Sequence, residues 1–370
     1  MHDEPTGDAP VARARLWRWT LSAVVHRYGA HARTDARRWL VELADGVGHT
    51  GWGEAAPLSG FGGEAPDACE ASLVRALGDL PGVALPRAPV ALAERIASLG
   101  LPRFASAAVE CAAADLVARR AGEPLARWLD PRATSTVVVS ALAGDLGDDQ
   151  VHARAAQWCE RGVRTLKLKV LADGWPAQLV RLRALRAAHP SLALRLDANG
   201  TWSLADWRAR AAVLGDLAIE HVEQPFAAGD HDALALAARG PGPGIALDES
   251  LCASATDVER LLAQDPDVCY VLKPAVLGVV GAWRLAQRVA SRRAIASHFA
   301  DGPVGRSSAR ALAQVLAVRD PALAHGVAPE LDGADRILDG TLVAPRGAGL
   351  AVEPDLAAWR EVGRCAGSAK

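Results

Sequence analysis

The sequence predicts an α/β protein: a (β/α)8-type (TIM-like) barrel with an α+β domain at its N-terminal end. Three observations predict it. From about residue 131 to 334, short aliphatic or β-branched runs alternate with Ala/Leu/Arg-rich helical stretches. Ahead of them the order is different, strands first and helices after. The length of 370 residues also exceeds what one small domain holds.

Residues 11–54 read as strands. Within them the runs 38–43 and 47–54 flank Asp45-Gly46, a hairpin signal. A Gly-rich loop follows, Pro57-Leu58-Ser59-Gly60-Phe61-Gly62-Gly63, then Ala-rich helices over about 64–78, 87–98 and 103–120. These make residues 1–130 an α+β domain. Beyond Pro131, strands are expected at 136–141, 165–170, 192–197, 218–223, 245–248, 268–273 and 294–297, with an eighth near 324–327. Helices are expected at 175–188, 204–214, 229–239, 255–263, 280–291 and 305–317. An open doubly wound sheet is the other topology for such units. It usually carries a Gly-rich fingerprint after its first strand, and none follows Ala141. Residues 335–370, with Gly/Pro turns and one short helix, are expected to return to the N-terminal domain.

Composition narrows the function classes. Hydrophobic residues are 50% and charged residues 23%, enough apolar material for a large core. Net charge is −2, from 41 basic and 43 acidic residues, so no basic excess drives nucleic-acid binding. No run of 18 apolar residues suggests a membrane span. The polar, acidic first ten residues lack the pattern of a secretory signal, so a cytoplasmic location is expected. Six cysteines (69, 111, 159, 252, 269, 365) show no C-x-x-C spacing, which argues against zinc ribbons and fits a reducing compartment.

The chemistry sits where the strands end. Successive barrel strands finish in Lys167-Leu168-Lys169, Asp197-Ala198-Asn199, Glu223-Gln224-Pro225, Asp248-Glu249-Ser250 and Lys273-Pro274. The steps Lys169, Asp197, Glu223, Asp248, Lys273 are 28, 26, 25 and 25 residues, one βα unit each. In a barrel these side chains converge on the C-terminal mouth. One such carboxylate alone would usually be a helix cap or surface charge. Three on adjacent strands repel one another unless a cation lies between them, and all-oxygen ligation suits Mg2+ or Mn2+. Lys167 and Lys169, two residues apart on a strand, share the inward face. A lysine crowded by other cations moves toward neutrality, where it serves as a base.

Taken together, Lys-x-Lys, Asp-x-Asn, Glu-x-Pro, Asp-Glu-Ser and Lys-Pro resemble the enolase superfamily, muconate-lactonizing subgroup, over about residues 16–353. The resemblance implies a capping domain on a modified barrel. It implies Asp197, Glu223 and Asp248 as Mg2+ ligands, Lys169 and Lys273 as the acid/base pair, and Lys167 as a partner of the substrate carboxylate. Asn199 and Glu249 would orient the ligands. The chemistry implied is proton abstraction beside a carboxylate, with metal and lysine stabilising the enediolate. The partner implied is a small-molecule carboxylate, with no nucleic acid or membrane; an oligomer is compatible with the sequence.

Within the subgroup, Gly51-Trp52-Gly53-Glu54-Ala55-Ala56-Pro57-Leu58-Ser59-Gly60-Phe61 resembles the capping-loop signature of the o-succinylbenzoate synthase family. So do Arg195 in Leu-Arg-Leu-Asp-Ala-Asn and Gly302-Pro303-Val304-Gly305. The resemblance implies a Mg2+-dependent syn dehydration to 2-succinylbenzoate in menaquinone biosynthesis. It implies substrate contacts from Leu58, Ser59, Phe61, Arg195 and Ser297. A Gly-rich turn is the plainer reading of the loop, and an ion pair in the barrel is the plainer reading of Arg195. His298 follows Ser297 where mandelate-racemase-like enzymes hold a catalytic His, but strand six offers Lys273 where an orienting Asp would stand, so His298 reads as a pocket-lining residue. Glu330-Leu331-Asp332 is similar to the Asp-x-Asp of dipeptide epimerases, with Glu330 departing from it; an ordinary turn at Gly333 fits as well. Dipeptide epimerization and N-succinylamino-acid racemization, using the same two lysines, are the alternatives. A silent scaffold would be expected to have lost a member of the set, and all are present.

Overall fold

A computed structural model of the chain describes residues 9–21, 26–28, 31–33, 36–58, 61–264, 266–299, 301–329 and 337–367. The N-terminal part contributes strands β1 (Arg13–Leu21), β2 (His26–Tyr28), β3 (His31–Arg33), β4 (Ala36–Ala44) and β5 (Thr50–Ala55). Helices α1 (Pro66–Asp79), α2 (Pro89–Ala97), α3 (Arg103–Arg120) and α4 (Leu125–Leu129) follow. β4 and β5 pair antiparallel from Trp39–Ala55 to Ala44–Thr50. The hairpin loop is longer than the sequence suggested. Asp45 accepts from the N–H groups of Val47, Gly48 and His49, so Val47 sits exposed in the turn and not in a strand.

α3 is buried on nearly all sides and lies flat on β5. Two glycines allow that approach. A β-carbon added at Gly53 would stand 1.9 Å from the Ala108 carbonyl oxygen, and one at Gly51 2.3 Å from that of Ala112. Both clashes are with backbone, which cannot step aside. Gly53→Ala is therefore expected to cost about 3 kcal/mol or more of stability, read as a lower midpoint in urea unfolding. An unchanged midpoint would mean that helix and strand are not in contact there.

The barrel is a parallel sheet in the order β13-β12-β11-β10-β9-β8-β7 among the described residues. After β6 (Thr136–Val138) its units run β7 (Ser140–Asp145), α5 (Val151–Glu160), β8 (Thr165–Lys169), α6 (Trp175–Ala188), β9 (Ala193–Asp197), α7 (Leu204–Asp216), β10 (Ile219–Glu223) and α8 (His231–Ala238). They continue through β11 (Gly244–Leu247), α9 (Ala255–Ala263), β12 (Cys269–Leu272), α10 (Pro274–Leu277), α11 (Val279–Arg288), β13 (Ala294–Ala296) and α12 (Pro303–Leu316). The expected eighth strand closes the ring as single parallel bridges, His325 to Val139 and Gly326 to Ser297. One core of Val, Leu, Ala and Trp side chains fills the space between strands and helices.

Three expectations need correction. Residues 136–141 do not form the first barrel strand. Instead 136–138 leaves the barrel to pair with β15 (Thr341–Val343), itself paired with β14 (Ile337–Leu338), and the barrel strand runs 140–145. α5 was not foreseen, because its sequence mixes Arg, Gln and His with few large apolar residues. The short helix expected near the C-terminus is replaced, among the described residues, by turns and the strand β16 (Arg360–Ala366), which adds to β1 in the first sheet.

The two layers are joined by carboxylates at helix N-termini. Glu110, on α3, accepts from the N–H groups of Val280 and Gly281 at the start of α11. Burial pushes its pKa from 4.5 up to about 7. The folded chain then holds this proton more tightly than the unfolded chain. Stability should fall as pH rises from 4.5 through 7 and level off above, by about 3 kcal/mol at most. Glu110→Gln keeps an acceptor oxygen and should lose that slope, checked by urea unfolding at pH 5, 6, 7 and 8. Parallel pH profiles for the two proteins would remove Glu110 as its source.

Candidate active site

Lys167 and Lys169 end β8, Asp197 ends β9, Glu223 ends β10, Asp248 follows β11 and Lys273 follows β12. The parallel register sets Lys169 beside Asp197 and Asp197 beside Glu223. A cavity of about 420 Å³ opens here, lined by Lys167, Lys169, Asp197, Asn199, Glu223 and Lys273 among others. Phe61, Ser297, His298 and Phe299 close it from the capping loop and the end of β13.

The ionic contacts are short. The Lys167 ammonium bridges Asp197 Oδ2 and Glu223 Oε1, at 2.9 Å each. The Lys273 ammonium lies 2.5 Å from Asp248 Oδ2. It is also flanked by two aromatic rings, Phe61 at 4.7 Å and Phe299 at 4.4 Å from the ring centroids. The rings meet edge to face, 4.4 Å between centroids. The lysines titrate in opposite directions. Burial pushes the Lys169 ammonium down, with Lys167 adding to that against the pull of Asp197. Burial works most strongly against the Lys273 ammonium too, but Asp248, Glu223 and Glu249 together hold its pKa up. Burial, with Asp197 and Asp248 near, raises Glu223 to about 7.

Backbone and side chains hold these ends in place. Asn199 and Gln224, just past β9 and β10, take positive φ of 44° and 40°, uncommon for side-chain-bearing residues and frequent at functional sites. Asn199 Nδ2 donates to Glu249 at 3.1 Å. Gln224 was given no role from sequence, yet its side chain ties two strand ends. Its Oε1 accepts from Asp248 N and Ser250 N, and its Nε2 donates to Phe226 O and Ser250 Oγ. A polar residue between a strand-end Glu and a Pro was the available signal. Phe299, His221 and Arg154 also line the cavity unforeseen.

Not every expected contact falls in place. Leu58 packs in the capping-layer core, away from the cavity lining. Arg195 reaches the cavity but takes the ion-pair alternative, donating to Glu220 at 2.8 Å and to the Ala324 carbonyl at 2.8 Å. Asp248 and Glu249 sit behind the lining, Asp248 being 1% exposed. Ser297 is in the wall, its hydroxyl 3.4 Å from Gly326 O. His298 lines the wall beside the Phe299 carbonyl, and burial lowers its pKa to about 4, so it is neutral. Ser59, Glu330 and Asp332 lie outside the described residues.

Among the described residues, no three His, Cys, Asp or Glu side chains already form a metal cage. The lysine ammoniums hold the carboxylates instead. The donor set nonetheless fits a hard divalent cation. Asp197, Glu223 and Asp248 are all buried, and Asp248 Oδ1 has no hydrogen-bond partner in the structure. A buried carboxylate oxygen left in that state is what a cation would satisfy.

No helix among the described residues is long and apolar enough to cross a membrane. Residues 150–358 match the family described as enolase C-terminal domain-like. A hydrophobic dipeptide epimerase of Roseobacter litoralis is 33% identical over 264 residues, 70% of this chain and 74% of its own. An o-succinylbenzoate synthase of Thermosynechococcus vestitus is 31% identical over 274 residues, covering 72% and 78%. Among solved structures, a muconate lactonizing enzyme from Pseudomonas fluorescens superposes with TM-score 0.80 at 20% identity, over 95% of this chain and 98% of its own. A dipeptide epimerase from Methylococcus capsulatus, complexed with Mg and the dipeptide L-Arg-D-Lys, superposes at 0.77 with 25% identity, over 92% and 99%. With more than half its length matched by that family model, and with the family's barrel and capping sheet both present, the chain is an enzyme of the enolase superfamily, in the muconate-lactonizing subgroup.

Proposed function

We propose that the protein is an o-succinylbenzoate synthase, a carbon–oxygen lyase dehydrating 2-succinyl-6-hydroxy-2,4-cyclohexadiene-1-carboxylate to 2-succinylbenzoate in menaquinone biosynthesis. The observation that carries this reading is the inequality of the two lysines. A syn dehydration needs one base that gives its proton back to the leaving hydroxyl on the same face, and one lasting cation opposite. A racemization needs two interchangeable bases. Lys273, held between two aromatic faces and an aspartate, is built to stay charged. Lys169, on β8 in the cavity lining, is pushed by burial toward the neutral amine and is the base.

Asp197, Glu223 and Asp248 would hold Mg2+ (or Mn2+), which supplies positive charge at the substrate carboxylate. Lys167 helps neutralise that carboxylate. Lys169 takes the α-proton and then delivers it to the departing hydroxyl. Lys273 faces the negative charge that develops on the carboxylate oxygens in the transition state. Asn199 and Glu249 orient the ligands. Phe61 and Ser297 shape the cavity around the ring of the substrate.

The second reading, dipeptide epimerization, is favoured by the 33% identity to the Roseobacter litoralis relative. N-succinylamino-acid racemization stands beside it through a Thermus thermophilus relative, 32% identical over 210 residues. A Mg2+-dependent assay separates them. Loss of diene absorbance that EDTA abolishes supports the dehydratase. Absence of that turnover, with α-proton exchange into dipeptides or N-succinylamino acids in D2O, would replace it.

A further inference from the structure

The cage around Lys273 is assembled from two layers. Phe61 belongs to the loop after β5, and Phe299 to the loop between β13 and α12. Neither loop has regular structure among the described residues to fix it. What joins them is Glu54, near the end of β5 and 4% exposed. Its Oε1 accepts from Gly302 N at 2.6 Å and its Oε2 from Gly305 N at 2.9 Å, at the first turn of α12. The helix N-terminus favours a carboxylate there, and both oxygens are used. Arg38 lies 3.6 Å from the same carboxylate and is stacked 4.1 Å over Trp19. The approach is close: a β-carbon at residue 302 would stand 2.6 Å from Glu54 Oε1 and displace the carboxylate. Asp301 accepts from Phe299 N, which ties the ring-bearing segment to the same turn.

We propose that Glu54 is a positioning residue. By clamping the capping sheet to the N-terminus of α12, it sets Phe61 and Phe299 edge to face around the Lys273 ammonium. Phe61 lies seven residues past Glu54, and Phe299 three before Gly302, so a shift at the clamp moves both rings relative to the lysine. The inference rests on Lys273 being the cation of the proposed reaction. It adds that the capping layer determines that cation's surroundings as well as covering the substrate.

The test is a double-mutant cycle on the full-length enzyme with Glu54→Gln, which is isosteric, Phe61→Leu, and the pair. Glu54→Gln should lower kcat by about tenfold to a hundredfold. In the Phe61→Leu background the same change should cost distinctly less, because one of the two rings it positions is already gone. Equal losses in both backgrounds would overturn the proposal. Hydrogen exchange read by mass spectrometry, without substrate, gives a second arm. Glu54→Gln should speed exchange in the peptides carrying Phe61 and Phe299 while β8 to β12 stay unchanged. Faster exchange spread evenly over the capping layer, or confined to α12, would also overturn it. If the wild type does not turn over the cyclohexadiene substrate, the reaction reading fails while the exchange arm still decides the clamp.

Discussion

Lys169→Ala should lower kcat by at least about a thousandfold while the protein stays folded. General-base groups contribute about 10² to 10⁴ in rate, and Lys169 is proposed to serve twice, as base and then as acid toward the leaving hydroxyl. It ends β8 beside Asp197 and lines the cavity, so its removal opens space there. Lys167 would still bridge Asp197 and Glu223, and the carboxylates would keep their arrangement. Steady-state kinetics with circular dichroism melting checks this. The expected pattern is an unchanged melting temperature, near-normal Mg2+ binding and almost no turnover. Retention of more than about 1% of kcat would show that another group takes the proton. Loss of the fold would show that Lys169 is structural.

Much of this site was legible in the sequence, because a parallel barrel turns sequence period into spatial convergence. Five charges spaced one βα unit apart must meet at one mouth whatever lies between them. Lys167, Lys169, Asp197, Glu223, Asp248 and Lys273 therefore arrive where the spacing puts them. Contacts made across the two layers were not legible. No periodicity relates Glu54 to Gly302, 248 positions away, or Phe61 to Phe299. The same holds for Leu58, whose apolar side chain could face the cavity or the core. The core won, because the adjoining sheet and helices offer continuous apolar surface. Arg195 shows the opposite case. An ion pair in the barrel was the plainer reading of its sequence, but the partner, Glu220 on the next strand, required the register. Among the elements, α5 escaped because its burial rests on Val151, Ala155 and Trp158 alone.

Asp248→Asn should weaken Mg2+ binding by at least about tenfold, measured by calorimetric titration of the metal into the substrate-free enzyme. The residue is 1% exposed, with one oxygen on Lys273 and the other without a partner. An amide in its place presents one oxygen, carries no charge and brings an N–H group that repels a cation. Activity alone would not isolate this effect, because the change also strips Lys273 of its anion. The titration does isolate it, since Lys273 as an ammonium cannot ligate a metal. Glu259→Gln serves as the control. It removes one negative charge from an exposed ion pair with Arg288, remote from the strand ends, and should leave the titration unaltered. If Asp248→Asn and Glu259→Gln titrate alike and like the wild type, Asp248 is no ligand. The cation would then have to be held by Asp197 and Glu223 alone, and the close pairing of Asp248 with Lys273 would be the reason for its burial. If only Asp248→Asn loosens the metal, the three carboxylates act together. The lysine contacts seen between them then mark the places where positive charge is wanted.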